Sequence, residues 1–409
     1  MRILIYTNHF VPESFRVNDV ALEMAKRGHR VKVLTSIPDY PEGKFYKGYS
    51  LFRRRCETVE GVEIVRVPVI PRGNGKALRM ILNYLSSIFF FSLYGLYQAL
   101  FHRYDCVFVH DTSPAFINIP ALIVHKIRKT PVYHWLLDMW PESLTAGGVE
   151  NKTVYGLIEK MTKCFYRNDE KILIASMGFR EILKKRGVAE EKIVYLPNWG
   201  DDAIMRRMEC TLPPLPVGFR IMFAGNLGDA QNLENVMLAA EKMREHQDIH
   251  WILVGDGRKK PWVDQFIAQH ELLKTVHTLG RYPAETMSTF FEQADVMLVS
   301  LSNTLIFSMT LPAKVQAYMA CGKPILGMMN GEGAHIINDA KCGWCVDADD
   351  VEGMVKKVLE ISQLNREDLK TFGQNGLNYY NTHFTKKICM DRLERVMMRD
   401  NDLHLSHTD

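Results

Sequence analysis

Short β-rich runs alternate with stretches of helical periodicity along most of this 409-residue chain, and they do so in two series. The first series of strand candidates is Arg2–Thr7, Val31–Thr35, Ile64–Val67, Cys106–Val109, Val132–Trp135 and Ile172–Ala175. Helical stretches such as Val17–Arg27, stopped by Gly28, separate several of them. The series pauses at Tyr195-Leu-Pro-Asn198 and restarts with Phe219–Phe223, Ile249–Val254, Val296–Ser300 and Pro324–Leu326. Helices at Leu233–Arg244, Ala284–Glu292 and Pro312–Ala320 separate the later strands. Such alternation predicts an α/β chain whose parallel sheets carry helices on both faces. The length exceeds what one core usually serves, so two doubly wound domains are expected, residues 1–200 and 201–379. The segment Asp201–Val217, with three prolines and little periodicity, is the expected linker. In such sheets ligands bind outside the carboxyl ends of the strands.

Composition narrows the partners. At 47% hydrophobic and 24% charged residues the chain is ordinary for a globular protein. The net charge of +4 conceals an asymmetry, because residues 1–100 carry 15 Lys and Arg against 8 Asp and Glu. A basic first quarter suits a phospholipid surface or a pyrophosphate, although solvated surface charge has the same signature. The cysteines follow no disulfide pattern. Cys342-Gly-Trp-Cys345 has no second pair to complete a metal site and is expected to form a short buried strand. Reduced thiols in a cytoplasmic protein are the simpler account. Met1–Thr7 is a first strand in this reading, too short in its apolar run for a signal peptide. Met80–Phe101 contains 22 residues without a charge, enough to span a bilayer. Asn83, Ser86, Ser87, Ser92 and Gln98 interrupt it, so a helix buried on one side and membrane-facing on the other is expected, with Lys76 and Arg79 upstream near lipid phosphates.

Three turns follow strands of the second series and predict a site for a nucleotide diphosphate. Gly225-Asn226-Leu227-Gly228 would bring phosphate close to the backbone, with Asn226 and Gln231 offering side-chain amides. Neither is charged, so Lys314 is the expected cation, in the first turn of a helix with Pro312 at its N1 position. The amides of Met309, Thr310 and Leu311 would add donors. Gly255 and Gly257 form a second strand-end turn, or only a tight bend. Arg281 and Tyr282, after Val276–Leu279, could reach a phosphate and border a base.

In the first series, His9 and Glu13 follow the opening strand, and Asp39-Tyr40-Pro-Glu-Gly43 with Lys44 forms a loop able to cover a cleft. His110 ends another strand. His134, Asp138, Trp140 and Glu142 lie at the end of a further one, where a carboxylate could orient or deprotonate an acceptor hydroxyl. A capping Asp138 and a core-packed Trp140 are the structural alternatives.

Together these motifs resemble the retaining glycosyltransferases of family GT4. The resemblance rests on Pro12-Glu13, Gly28-His-Arg-Val31, Pro38-Asp-Tyr-Pro-Glu-Gly43 with Gly48-Tyr49, Asp138-Met-Trp-Pro-Glu-Ser143, Phe223-Ala-Gly-Asn-Leu-Gly228 with Gln231, and Pro312-Ala-Lys314 with Gly322-Lys-Pro324. It implies the GT-B fold, two facing Rossmann-like domains with a crossover helix near residues 380–400, Phe384–Met398 being the candidate. It is nearest to O-antigen and capsule transferases that include the N-acetyl-fucosaminyl transferases. By resemblance, the C-terminal domain holds a nucleotide-sugar donor, a UDP-sugar more readily than a GDP-sugar. The N-terminal domain holds a polyprenyl-diphosphate-linked saccharide at the inner face of the bacterial cytoplasmic membrane. No metal, cofactor or nucleic acid is implied. Asp138, Glu142, His110 and Lys314 are the expected catalytic residues. Gly225, Asn226, Leu227, Gly228, Gln231, Gly255, Gly257, Arg281, Tyr282, Met309, Thr310, Leu311 and Lys314 are expected to bind donor, and His9, Glu13, Tyr40, Lys44 and Trp140 acceptor. The chain departs from the broad family in having Met309 and Ala317 where two glutamates are usual, and Asn226 and Gln231 in place of an Arg and a Lys. A nucleotide-sugar 2-epimerase and a non-catalytic assembly partner are the alternatives on the same fold.

Overall fold

The structure is a computed structural model that describes residues 1–73, 77–146, 151–200, 204 and 211–399. The chain divides into two compact units. One comprises Met1–Ala175, Phe179–Leu196 and the chain from Met390 onward; the other comprises Ser176–Gly178 and Pro197–Cys389. Much of the expected linker, and Lys76, lie outside the described residues.

The first unit is built on an eight-stranded sheet. Its strands are β1 (Arg2–Thr7), β2 (Arg30–Ser36), β3 (Cys56–Val59), β4 (Val62–Val67), β5 (Cys106–Asp111), β6 (Val132–Leu136), β7 (Lys171–Ile174) and β8 (Ile193–Tyr195). They lie in the order β3-β4-β2-β1-β5-β6-β7-β8. β1 sits centrally, with Ile3 opposite both Val31 and Cys106 in parallel register. Buried on both faces, β1 and β5 read as continuous apolar runs. β3 is the antiparallel edge of this otherwise parallel sheet, returning onto β4 through a turn at Glu60 and Gly61, both with positive φ.

The helix Ala77–Phe101 connects β4 to β5. Its inner face enters the core with Leu4, Tyr6, Val67, Phe91 and Val109. Gly95 lets it approach the helix Asn118–Arg128 closely, since a Cβ there would stand 2.7 Å from Pro120 Cβ. The buried polar residues of that helix are used inward: Asn83 Nδ2 donates to the Ile70 carbonyl (2.6 Å) and Ser86 Oγ accepts from the Ile70 amide (3.0 Å).

The second unit has six parallel strands, β9 (Phe219–Ala224), β10 (Ile249–Val254), β11 (Val276–Gly280), β12 (Val296–Ser300), β13 (Ile325–Met328) and β14 (Gly343–Val346). Their order is β11-β10-β9-β12-β13-β14. The reversal between β10 and β12 around β9 is a topological switch point, which opens a crevice at the carboxyl end of β9. Phe223, Trp251, Leu253, Val236, Met237 and Leu298 fill one face of the core. β14 is half-buried at the sheet edge, not the buried strand expected, and Cys342 and Cys345 are free thiols.

Candidate functional site

In the second unit a pocket of about 610 Å³ opens at the switch point, lined by Gly225, Asn226, Gly255, Gly257, Arg281 and Tyr282 among others. Two glycine turns form its floor by leaning on each other. The Gly225 amide donates to the Val254 carbonyl (2.8 Å) and the Leu227 amide to the Asp256 carbonyl (2.9 Å). Gly255 has φ +148°, and a Cβ there would stand 1.8 Å from the Gly225 carbonyl oxygen. Gly255→Ala is therefore expected to cost about 2 kcal/mol or more of stability and to deform the pocket. A urea melt with a nucleotide titration checks it; unchanged values in both would mean the turns tolerate separation.

These contacts correct part of the expected donor set. The N–H groups of Gly225, Leu227 and Gly255 are already committed within the fold, the last to the Gly280 carbonyl (2.8 Å). Leu227 is fully buried in the core, so it shapes the turn and offers the pocket nothing. Met309 and Thr310 fail as donors for the same reason. Their amides close the short helix Leu305–Ser308 by donating to the Leu305 (3.1 Å) and Phe307 (3.3 Å) carbonyls. The amides of Asn226, Gly228 and Leu311 make no bond among the described residues. Pro312 is the N-cap of the helix Ala313–Ala320 rather than its N1 residue, so the Ala313 and Lys314 amides open that helix.

Lys314 lies behind the first glycine turn. A Cβ at Gly225 would stand 2.6 Å from its Cε, and its ammonium sits 4.3 Å from the centroid of the Phe223 ring while donating to Gln231 Oε1. Loss of water, with no carboxylate among the described residues to offset it, lowers its pKa to about 7. An arriving diphosphate would raise that value again. Diphosphate binding is therefore expected to take up a proton above pH 7, its affinity falling as pH rises and levelling off below pH 7. Calorimetry at pH 8 in buffers of different ionisation heat should give close to one proton taken up. Zero uptake would place the phosphates elsewhere.

In the first unit, the loops after β1, β2 and β4 meet. His9 is buried and stacked on Phe15, with ring centroids 4.7 Å apart. Its Nδ1 lies 3.0 Å from Glu13 Oε2 and its Nε2 3.3 Å from Arg72 Nη2. A guanidinium only donates, so Nε2 accepts and the Nδ1 proton points at Glu13. Glu13 Oε1 accepts from the Asp39 (2.9 Å) and Tyr40 (2.7 Å) amides. Glu13 thus holds the loop in place, and its buried carboxylate is out of an acceptor's reach. His9, Glu13 and Asp39 bring ligand-type atoms within 4.8 Å of one another. Both Glu13 oxygens are engaged and a guanidinium stands on His9, so this trio is better suited to anchoring Arg72 than to holding a cation. Tyr40 is exposed above the group, and Lys44 is exposed on the same loop.

At the end of β6, Asp138 is half-exposed. Its two oxygens accept from the hydroxyls of Ser113 and Ser143. The other expected residues here take structural positions. Trp140 is packed in a core cluster with Ala115 and Ile158 and donates its indole N–H to Ser113 (2.9 Å), so it presents no surface to an acceptor. Glu142 is clamped by Arg186 Nη2 at 2.7 and 2.8 Å, which removes both oxygens from base chemistry. His110 is buried against Thr7 (2.9 Å), and burial, with His9 nearby, lowers its pKa to about 3. His134 bridges Asp169 (2.9 Å) and Asp111 (2.8 Å). Burial alone would lower its pKa, but the two carboxylates hold it up at about 9, so as an imidazolium it ties β5 and β6 to Asp169, just ahead of β7.

Two residues join these sites without any motif to announce them. Arg72 is one. Glu332 is the other, a buried carboxyl accepting from the Met177 amide (3.2 Å), its pKa raised by burial. The flanking glycines press on the segment leading to Lys314: a Cβ at Gly331 would stand 1.9 Å from Ser308 O, and one at Gly333 3.0 Å from Pro312 Cδ. Only the strand-end position of each residue hinted at this.

Comparison with known proteins agrees with the geometry. The model for glycosyl transferases group 1 matches residues 218–379, and that for the glycosyl transferase 4-like domain matches residues 14–199. The chain is 23% identical over 335 residues to the probable glycosyltransferase WbjE of Pseudomonas aeruginosa, covering 79% of this chain and 81% of that one. It is 24% identical over 345 residues to the putative colanic acid biosynthesis glycosyl transferase WcaI of Escherichia coli K12, covering 79% and 82%. Among solved structures, Anabaena Alr3699/HepE in complex with UDP superposes with a TM-score of 0.67 at 13% identity, over 98% of this chain and 100% of that one.

Proposed function

We propose a reaction for this chain, which belongs to the GT4 glycosyltransferases of the O-antigen and capsule type and has the GT-B fold: transfer of a hexose from a UDP-sugar to a lipid-linked saccharide, with the anomeric configuration retained. The observation that carries it is a largely desolvated ammonium with no carboxylate partner among the described residues, placed behind a glycine turn at the switch point of a parallel sheet. Such a group gains most when a diphosphate arrives, and more still as the bond from anomeric carbon to phosphate oxygen breaks and charge builds on the leaving group. The Asn226, Gly228 and Leu311 amides and the helix opening at Ala313 add dipoles of the same sign. Arg281 and Tyr282 would border the nucleotide; the UDP complex of HepE favours uridine. Asp138 would orient the acceptor hydroxyl as its oxygen bonds to the anomeric carbon on the leaving-group face, its proton passing to Asp138 or the departing phosphate. N-acetyl-fucosamine or a related hexose is the proposed sugar. The test is incubation with a panel of nucleotide sugars and a short lipid-linked acceptor. Transfer from one donor is expected; folded protein that transfers from none would reject the reading.

A lipid-linked acceptor would favour a position at the inner face of the cytoplasmic membrane, with the helix Ala77–Phe101 as the proposed contact. Leu78, Ile81, Leu85, Phe89, Leu93 and Phe101 recur at helical spacing, each more than half exposed. They form one apolar stripe along about 37 Å of helix. Between two strands of one sheet, with its inner face packed in the core and its buried Asn83 and Ser86 bonded within the fold, the helix is suited to lying on a bilayer rather than crossing it. Leu85→Glu with Phe89→Glu should lower binding to phospholipid vesicles by roughly 2–4 kcal/mol, read by flotation, with little change in melting temperature because both side chains face water. Wild-type flotation would exclude the stripe as the contact.

A further inference from the structure

The amino ends of β1, β2, β4 and β5, at the edge opposite the candidate acceptor residues, surround a second pocket of about 690 Å³. Arg2, Arg30, Lys32 and Arg103 line it together with Phe101 and Tyr104. Arg2 is paired with Asp105 (3.1 Å) and Lys32 with Glu63 (3.3 Å). Arg30 and Arg103 are exposed and make no ion pair among the described residues. Four cations thus face two carboxylates, and two guanidinium groups are left to bind an anion. The same pocket adjoins the apolar stripe, because Phe101 is both the last residue of the stripe's helix and part of the pocket wall. Arg128 closes the helix there, donating from Nη2 to the Leu100 carbonyl (2.6 Å), so the junction between apolar stripe and cationic pocket is fixed.

We propose that this pocket receives the phosphate of an anionic phospholipid headgroup, giving the membrane contact a preference for anionic bilayers. The proposal rests on the membrane reading above and adds the lipid class. An apolar ridge ending in unpaired guanidinium groups matches an interface in which acyl chains and headgroup phosphates lie side by side. A guanidinium fork also fits a phosphodiester in two-pronged fashion.

The test uses the full chain with vesicles of phosphatidylcholine alone and with added phosphatidylglycerol. Wild type should bind the anionic vesicles at least about tenfold more tightly, an advantage that falls with salt. Arg30→Gln with Arg103→Gln should lose that advantage and keep the binding to phosphatidylcholine. Its melting temperature, and its transfer to a short water-soluble acceptor, should be unchanged. If the double variant keeps the wild-type preference for anionic vesicles, the headgroup site is wrong while the membrane contact stands. If Leu85→Glu with Phe89→Glu floats like wild type, the membrane contact itself fails. Inorganic phosphate separates the sources: millimolar phosphate that protects wild type against heat, without any preference between the two vesicle types, would make this a free-phosphate site and overturn the lipid assignment.

Discussion

Lys314→Ala is expected to lower kcat/KM for sugar transfer by about 100- to 1,000-fold, the usual range for removing one preorganised stabiliser of a developing anion. Stability should move the other way or not at all. The ammonium has lost much of its hydration without gaining a carboxylate among the described residues, so its removal relieves a desolvation penalty, offset in part by the lost contact with Phe223. Activity falling while the melting temperature holds or rises is the pattern of a group kept for its function at some expense of stability. Steady-state kinetics and a thermal melt on the same preparation check both halves. Unchanged turnover would remove Lys314 from the mechanism.

Asp138→Asn should cost about 100- to 10,000-fold in kcat, the range for a positioned acid or base, and leave nucleotide affinity untouched. Ser113 and Ser143 both donate to Asp138. The amide keeps one acceptor and the remaining hydroxyl can turn to accept, so the loop should hold its shape. The separation from Lys314 is therefore visible in one pair of experiments: Lys314→Ala weakens UDP binding and Asp138→Asn does not. A variant with wild-type kcat would show that Asp138 only ties the loop to its serines.

The sheet strands with continuous apolar runs were legible in sequence because burial on both faces leaves no alternation to confuse them. β3 escaped because Cys56-Glu-Thr-Val59 is a half-exposed edge strand, and β8 because it has three residues. In the site, strand-end turns could be located but their hydrogen bonds could not be assigned. Gly225, Met309 and Thr310 carry amides suited to phosphate by position, yet each is bonded within the fold. His134 shows the limit most clearly. Its partner Asp169 is 35 residues away, so only tertiary structure distinguishes a buried imidazolium strut from a catalytic base. Glu142 and Arg186, 44 residues apart, repeat the lesson. Arg72 and Glu332 belong to no motif and became visible only when loops from different strands converged.

A crystal structure with a nucleoside diphosphate bound tests the grip on the donor most directly. The β-phosphate should lie within hydrogen-bond distance of Lys314 Nζ and of the Asn226 or Gly228 amide, with Gln231 turned to share the ammonium. A pocket empty at saturating nucleotide, or phosphates resting against Asp256 or Glu332 instead, would contradict the assignment.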